Sequence, residues 1–334
     1  MTGGILLALL SGACNGLFTT PMKMQRRWKW ENLWLVFIVT ACLAMPAVIV
    51  FASVPRWNDL LARSPSGAIA CALAFGFAWG FGAISFGQSV DSLGVSIANS
   101  LVIGLSSALG SLVPLILGGK LSLDAKLLTL FAGIAAFLIG VTLCGRAGLL
   151  RDRGSKTASG AKPSTRGYIF ATASGIMSAI FNIGFTLARP IATTGTSMGI
   201  SDFSATNCIW LLMLGAGAIP NIVYCGYLMA RNRSTRLLLE SGAARGWISG
   251  VAMGLLWGGS IFLYGAAVPK LGDMGPSIGW PLSLAVGLLV ANLMGFLLGE
   301  WRTAGRDAVA SMRLGLLILL GAIVLCAISA RMTA

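Results

Sequence analysis

The chain contains no histidine. That removes the commonest metal ligand and the one side chain that ordinarily titrates near neutral pH. Acidic residues are scarce as well, 10 Asp and Glu against 24 Lys and Arg, and only 10% of the 334 residues are charged, where a soluble domain carries about 25%. No carboxylate falls in the middle of an apolar run; Asp91, Asp202, Asp273 and Glu300 all stand at run ends. At the centre of a membrane helix a carboxylate costs about 2.5–3.5 kcal/mol on insertion scales, so one that is kept there usually has a task. Without His, a buried acid pair or an H-E-x-x-H helix, an intramembrane hydrolase has no nucleophile and base to work with, and no enzyme activity is expected. The seven cysteines (14, 42, 71, 144, 208, 225 and 326) lie within apolar runs and form no CxxC. They read as free thiols facing lipid or core, not as a disulfide framework or zinc site. No metal and no cofactor are expected.

What is present is apolar. Hydrophobic residues make up 56% of the chain and glycines number 44. Runs of about twenty apolar residues mark membrane helices, and small residues let such helices pack closely. The pattern predicts an all-α polytopic membrane protein with ten spans, near 3–22, 33–54, 67–88, 93–117, 127–149, 167–188, 203–230, 247–268, 277–299 and 308–330. The first run has neither a basic leader nor an A-x-A exit, so it reads as a retained helix. The formal net charge of +14 reflects loops facing one side of a bilayer, not a nucleic-acid partner. Connections after odd-numbered spans hold 17 Lys and Arg, and those after even-numbered spans hold 6. That bias predicts odd connections in the cytoplasm and both termini outside.

One stretch is written twice. Residues 79–94 read WGFGAISFGQSVDSLG and residues 257–272 read WGGSIFLYGAAVPKLG. Trp79/Trp257, Gly80/Gly258, Phe86/Tyr264, Gly87/Gly265, Leu93/Leu271 and Gly94/Gly272 share one offset of 178 without a gap. The polar stretch 151–166 (RDRGSKTASGAKPSTR) reads as a cytoplasmic linker between a first five-helix repeat, 1–150, and a second, 167–334. Five is odd, so the second copy enters the membrane from the opposite side, giving two inverted five-helix repeats. SerGly at 11–12 recurs at 174–175, and LeuIleGly at 138–140 is echoed by LeuLeuGly at 319–321. Gly76/Gly80, Gly254/Gly258, Gly295/Gly299 and Gly12/Gly16 are GxxxG pairs that predict close backbone approach. Pro46, Pro114, Pro220 and Pro281 predict breaks within spans.

The polar residues inside the spans are neutral. Asn15, Asn182, Ser85, Gln88, Asn99, Ser100, Asn207, Tyr264 and Asn292 are interleaved with Trp79, Phe86, Trp257 and Trp280. Amides and hydroxyls match sugar hydroxyls, aromatic rings stack on sugar C–H faces, and an uncharged solute needs no counter-ion. The candidate substrate-binding residues are therefore Trp79, Gln88, Asn99, Trp257, Tyr264, Asn15 and Asn292. For a coupled proton, Asp91 at the mouth between spans three and four is the first candidate, the alternative reading being a plain loop carboxylate. Glu300 is the second, although Arg302 and Arg306 beside it suit a structural ion pair. Trp28, Trp30, Trp34, Trp57, Trp210 and Trp301 read as belt residues at the membrane interface. Other readings are export of a different small metabolite and, in another class, a membrane scaffold that transports nothing.

Residues 11–34 (SGACNGLFTTPMKMQRRWKWENLW), 78–94 (AWGFGAISFGQSVDSLG), 144–153 (CGRAGLLRDR) and 299–308 (GEWRTAGRDA) resemble the bacterial L-rhamnose–proton symporter family of the drug/metabolite transporter superfamily. Pro21, Lys23, Trp28, Trp30, Glu31, Trp79, Gly80, Gly87, Leu93, Gly94, Glu300, Trp301, Gly305 and Arg306 occupy family positions. The resemblance implies uptake of L-rhamnose or a related neutral sugar with a proton, across the bacterial cytoplasmic (inner) membrane. It places spans three, four, eight and nine around the substrate. Association as a homodimer is left open.

Overall fold

The computed structural model describes residues 2–25, 27–93, 95–119, 124–154 and 165–332; the side chain of Asp91, together with Gly94 and residues 155–164 of the expected linker, lies outside the described set. Among the described residues there are ten helices long and apolar enough to cross a membrane, and no strand. They are α1 (Thr2–Leu17), α2 (Trp30–Ser53), α3 (Ser66–Leu93), α4 (Val95–Leu117), α5 (Ala125–Gly154), α6 (Thr165–Leu187), α7 (Asp202–Arg231), α8 (Ala244–Ala267), α9 (Gly275–Leu297) and α10 (Arg306–Arg331). Helix α5 runs on through Gly154, so the first four positions of the expected linker are helical.

Each helix reads as its composition dictates. Apolar side chains cover the outside of the bundle, where Val48, Ile248 and Leu317 are 66%, 68% and 66% exposed; lipid is the solvent that suits them. All seven cysteines are free, five of them buried and two half-buried. In α2 the stretch Val39–Ala44 is a π-helix just ahead of Pro46. A proline ring clashes with the carbonyl four residues back in an α-helix, and the wider π turn relieves that clash. Pro114, Pro220 and Pro281 lie inside α4, α7 and α9.

Glycines set the closest approaches. At Gly76 an added Cβ would sit 2.2 Å from the carbonyl oxygen of Met213, and at Gly80 it would sit 2.5 Å from that of Gly217, so α3 lies directly against α7. Gly254 and Gly258 hold α8 against Thr40, Ala41 and Met45 of α2, and Gly12 and Gly16 hold α1 against α9. The Gly295/Gly299 pair does something else. Gly299 has φ +78° and follows the end of α9, with the Leu298 amide closing on the Met294 carbonyl. It is a left-handed cap residue, a conformation that disfavours a Cβ, and not half of a packing pair.

The packing partners follow a pattern. α1 lies between α8 and α9, and α6 lies between α3 and α4; α2 packs on α7 and α8, and α7 on α2 and α3; α5 packs on α4 and α10, and α10 on α5 and α9. The connections sort into two ends. At one, Lys29 and Asn32 bond the Asn232 and Ser234 carbonyls, and Arg151 meets Glu300. At the other, Arg56 bonds the Met198 carbonyl and the ends of α4, α6 and α9 meet around a recess. These are called the clamp end and the recess end below.

Candidate functional site

Six helices, three from each half of the chain, surround a chamber of about 130 Å³. α1 contributes Ser11 and Asn15, α3 Trp79, α4 Val102, Ile103 and Ser106, α6 Ser178 and Phe181, α8 Trp257, Ser260, Ile261 and Tyr264, and α9 Trp280, Ser283 and Leu284. No charged side chain is among them. The duplicated tryptophans meet here face to face, with ring centroids 5.2 Å apart and planes 15° from parallel. Trp79 also tilts against Phe181 at 5.0 Å, and Tyr264 sits edge-on to Trp280 at 5.4 Å. Gly217 fixes the Trp79 ring from behind, since a Cβ there would lie 2.6 Å from it.

The polar atoms of the chamber are partly committed. Ser11 Oγ bonds the Ser260 carbonyl and Ser283 Oγ, each at 2.8 Å, and Ser260 Oγ donates to the Trp257 carbonyl. Trp280 Nε1 donates to the Ser106 carbonyl at 3.1 Å. The Ser106 hydroxyl is buried and has no protein partner. An unpartnered buried hydroxyl is costly, and a solute or water in the chamber would satisfy it.

Of the residues singled out in the sequence, the chamber gathers Asn15, Trp79, Trp257 and Tyr264. Gln88, Asn99 and Asn292 are not in its lining. Gln88 donates to the Tyr224 hydroxyl at 3.1 Å, and Asn292 bonds back to the Leu288 carbonyl of its own helix. Asn99 is half-buried one turn before Val102 on α4. Glu300 is remote, paired with Arg151 at 3.7 Å, and the Arg151 guanidinium lies 5.0 Å over the Trp301 ring.

Several positions in and around the chamber escape the sequence reading. The hydroxyls of Ser11, Ser106, Ser178, Ser260 and Ser283 form most of the polar lining; only Ser11 carried a signal, through the SerGly echo. The belt reading fails for three tryptophans. Trp210 is fully buried, stacked on Phe185 at 4.4 Å and 3°. Trp28 and Trp301 are each 7% exposed, Trp28 lying on Gly246 and Trp301 against Phe296. In each case a glycine or a second ring offers an apolar surface that lipid headgroups do not.

The motif WKWEN, 28–32, builds the clamp end. Glu31 is 4% exposed and accepts from Asn232 Nδ2 at 2.9 Å and Ser234 Oγ at 2.8 Å. Asn32 Nδ2 donates to the Ser234 carbonyl at 3.0 Å. Arg233 between them takes φ +52°, the tight turn that presents both neighbours to Glu31.

Ten apolar helices, six of them around an uncharged chamber of indoles, hydroxyls and one amide, define a multi-pass membrane protein of the solute-transporter class. The chain belongs to the family described as L-rhamnose-proton symport protein (RhaT), whose family model matches residues 1–331. It is 27% identical over 329 residues to an L-rhamnose-proton symporter of Cronobacter sakazakii (strain ATCC BAA-894), covering 96% of this chain and 95% of that one. To the L-rhamnose-proton symporter of Yersinia pestis (strain Pestoides F) it is 25% identical over 326 residues, covering 95% and 94%. A protein of known crystal structure, 14% identical, superposes with a TM-score of 0.63 over 99% of this chain and 98% of its own; at that identity the likeness concerns the fold alone.

Proposed function

We propose that the protein carries L-rhamnose, or a closely related neutral sugar, together with a proton, by alternating access of two inverted five-helix repeats. The observation that carries the reading is the chamber itself. Three helices from each half enclose a site with hydroxyls, an amide and stacked indoles but no charge. Ser and Asn side chains exchange hydrogen bonds with sugar hydroxyls, and indole faces take the C–H faces. A phosphate or carboxylate would find no counter-ion. The relatives named as L-rhamnose-proton symporters supply the particular sugar and the proton.

The inverted repeat is supported by the exchange of packing partners: shifting every helix by five turns α1 between α8 and α9 into α6 between α3 and α4. The stacked Trp79 and Trp257, at equal positions in the duplicated stretch, sit where the halves meet. The concentration of basic residues in the clamp-end connections supports an orientation in the bacterial inner membrane with that end in the cytoplasm and the recess and both termini outside. For the proton we assign Asp91, on the segment of α3 that leads from Trp79 toward the clamp end, over Glu300, which already pairs with Arg151. The reading involves no catalytic chemistry and no cofactor.

Uptake of labelled L-rhamnose into proteoliposomes, with and without an inward proton gradient, tests this. Accumulation driven by the gradient is expected, and Asp91→Asn should leave uptake indifferent to it. No uptake of L-rhamnose would reject the sugar; gradient-independent uptake by the unaltered protein would reject the coupling.

A further inference from the structure

Between the chamber and the recess end lies one thin layer of side chains. The recess, about 340 Å³, is lined by Pro114 and Gly118 of α4, Thr186 and Leu187 of α6, and Asp273 and Pro276 at the start of α9, among others. Along α4 the order is Ser106 in the chamber, Gly110, then Pro114 in the recess; along α6 it is Ser178 and Phe181, Asn182, then Thr186. Eight helical residues span about 12 Å, so the partition is about two turns thick.

Asn182 occupies that partition and is fully buried. Its Nδ2 donates to the Gly110 carbonyl at 2.7 Å and to the Pro276 carbonyl at 3.2 Å, and its Oδ1 accepts from the Tyr264 hydroxyl. One amide thus ties together α6, α4, α9 and α8. The bond to Gly110 has a cause in the sequence. Pro114, four residues on, has no N–H to close the helical bond to that carbonyl, so the Gly110 oxygen is left for Asn182. Absence of a side chain at Gly110 matters as well, because a Cβ would lie 2.7 Å from the Trp280 ring that lies against it. α4 is therefore held across its own proline break by a side chain from α6.

We propose that Asn182 is the latch of the recess-side gate: its release frees α4 to bend at Pro114 and opens the chamber to the recess. All the bonds involved are neutral, and the atoms they expose on opening face a recess where water can take them up. The inference rests on the chamber being the solute site.

The test reads access to the chamber, not transport. Ser106→Cys places a thiol in the chamber, and its modification by a small, charged, membrane-impermeant methanethiosulfonate is timed on the purified full chain in nanodiscs. The same chain without the added cysteine gives the background from Cys14 and Cys71. Adding Asn182→Ala is expected to raise the rate about tenfold, and Tyr264→Phe, which removes only the hydroxyl, about threefold. An unchanged rate in folded Asn182→Ala protein overturns the proposal; if that variant does not fold, an unchanged rate in Tyr264→Phe does so. Failure of L-rhamnose uptake alongside a raised thiol rate would reject the sugar and leave the latch standing.

Discussion

At the clamp end a buried carboxylate, Glu31, draws in Asn232 and Ser234, while Asn32 and Lys29 bond backbone carbonyls of the same turn. At the recess end a neutral amide, Asn182, holds two carbonyls and one phenol. Hydrogen bonds to charged groups contribute about 1.5–3 kcal/mol and neutral ones about 0.5–1.5 kcal/mol. The two ends differ in kind: the first is fastened by hydrogen bonds to a charged group, and the second by neutral bonds alone. Under the alternating access proposed above, the weaker neutral fastening makes the recess end the one expected to open first.

That contrast can be broken by removing single partners and reading the thermal midpoint of the purified protein. The largest fall is expected for Glu31→Ala, which strands two donors in a buried site at roughly 1–3 kcal/mol. Tyr264→Phe strands a single acceptor, the buried Asn182 Oδ1, and should cost less, toward the low end of the same range of about 1–3 kcal/mol. Glu300→Gln should do least, about 0–1 kcal/mol, because Glu300 and Arg151 are 34% and 26% exposed and solvent screens the pair. A Tyr264→Phe loss equal to that of Glu31→Ala would erase the difference between the ends. Glu300→Gln should also keep gradient-driven uptake; losing it would move the proton assignment from Asp91 to Glu300.

Much of this was legible in the chain. Ten apolar runs become ten helices because only helices satisfy their backbone within a bilayer, and the duplicated tryptophans were found because an indole is rare and bulky enough to mark a repeat. The chamber serines were not legible. A serine in an apolar run looks like a small packing residue, and only the approach of another helix shows whether its hydroxyl meets Ser283, as Ser11 does, or nothing, as Ser106 does. Asn182 was visible as a neutral polar residue, but its role depends on a proline in another helix. Trp210 misled for the opposite reason: an indole near a span end suits a headgroup or a buried ring equally well, and Phe185 decides it. Gln88, Asn99 and Asn292 were grouped with the chamber by type, whereas helix pitch carries them past it.

The proposed sugar site is the place where Trp79 and Trp257 meet. Equilibrium binding of labelled L-rhamnose to the purified protein, alongside Trp79→Ala and Trp257→Ala proteins of unchanged thermal midpoint, tests it most directly. Saturable binding is expected in the unaltered protein, with each substitution weakening it roughly two- to tenfold, the scale of a lost aromatic contact. Saturable binding of equal strength in all three proteins would contradict it.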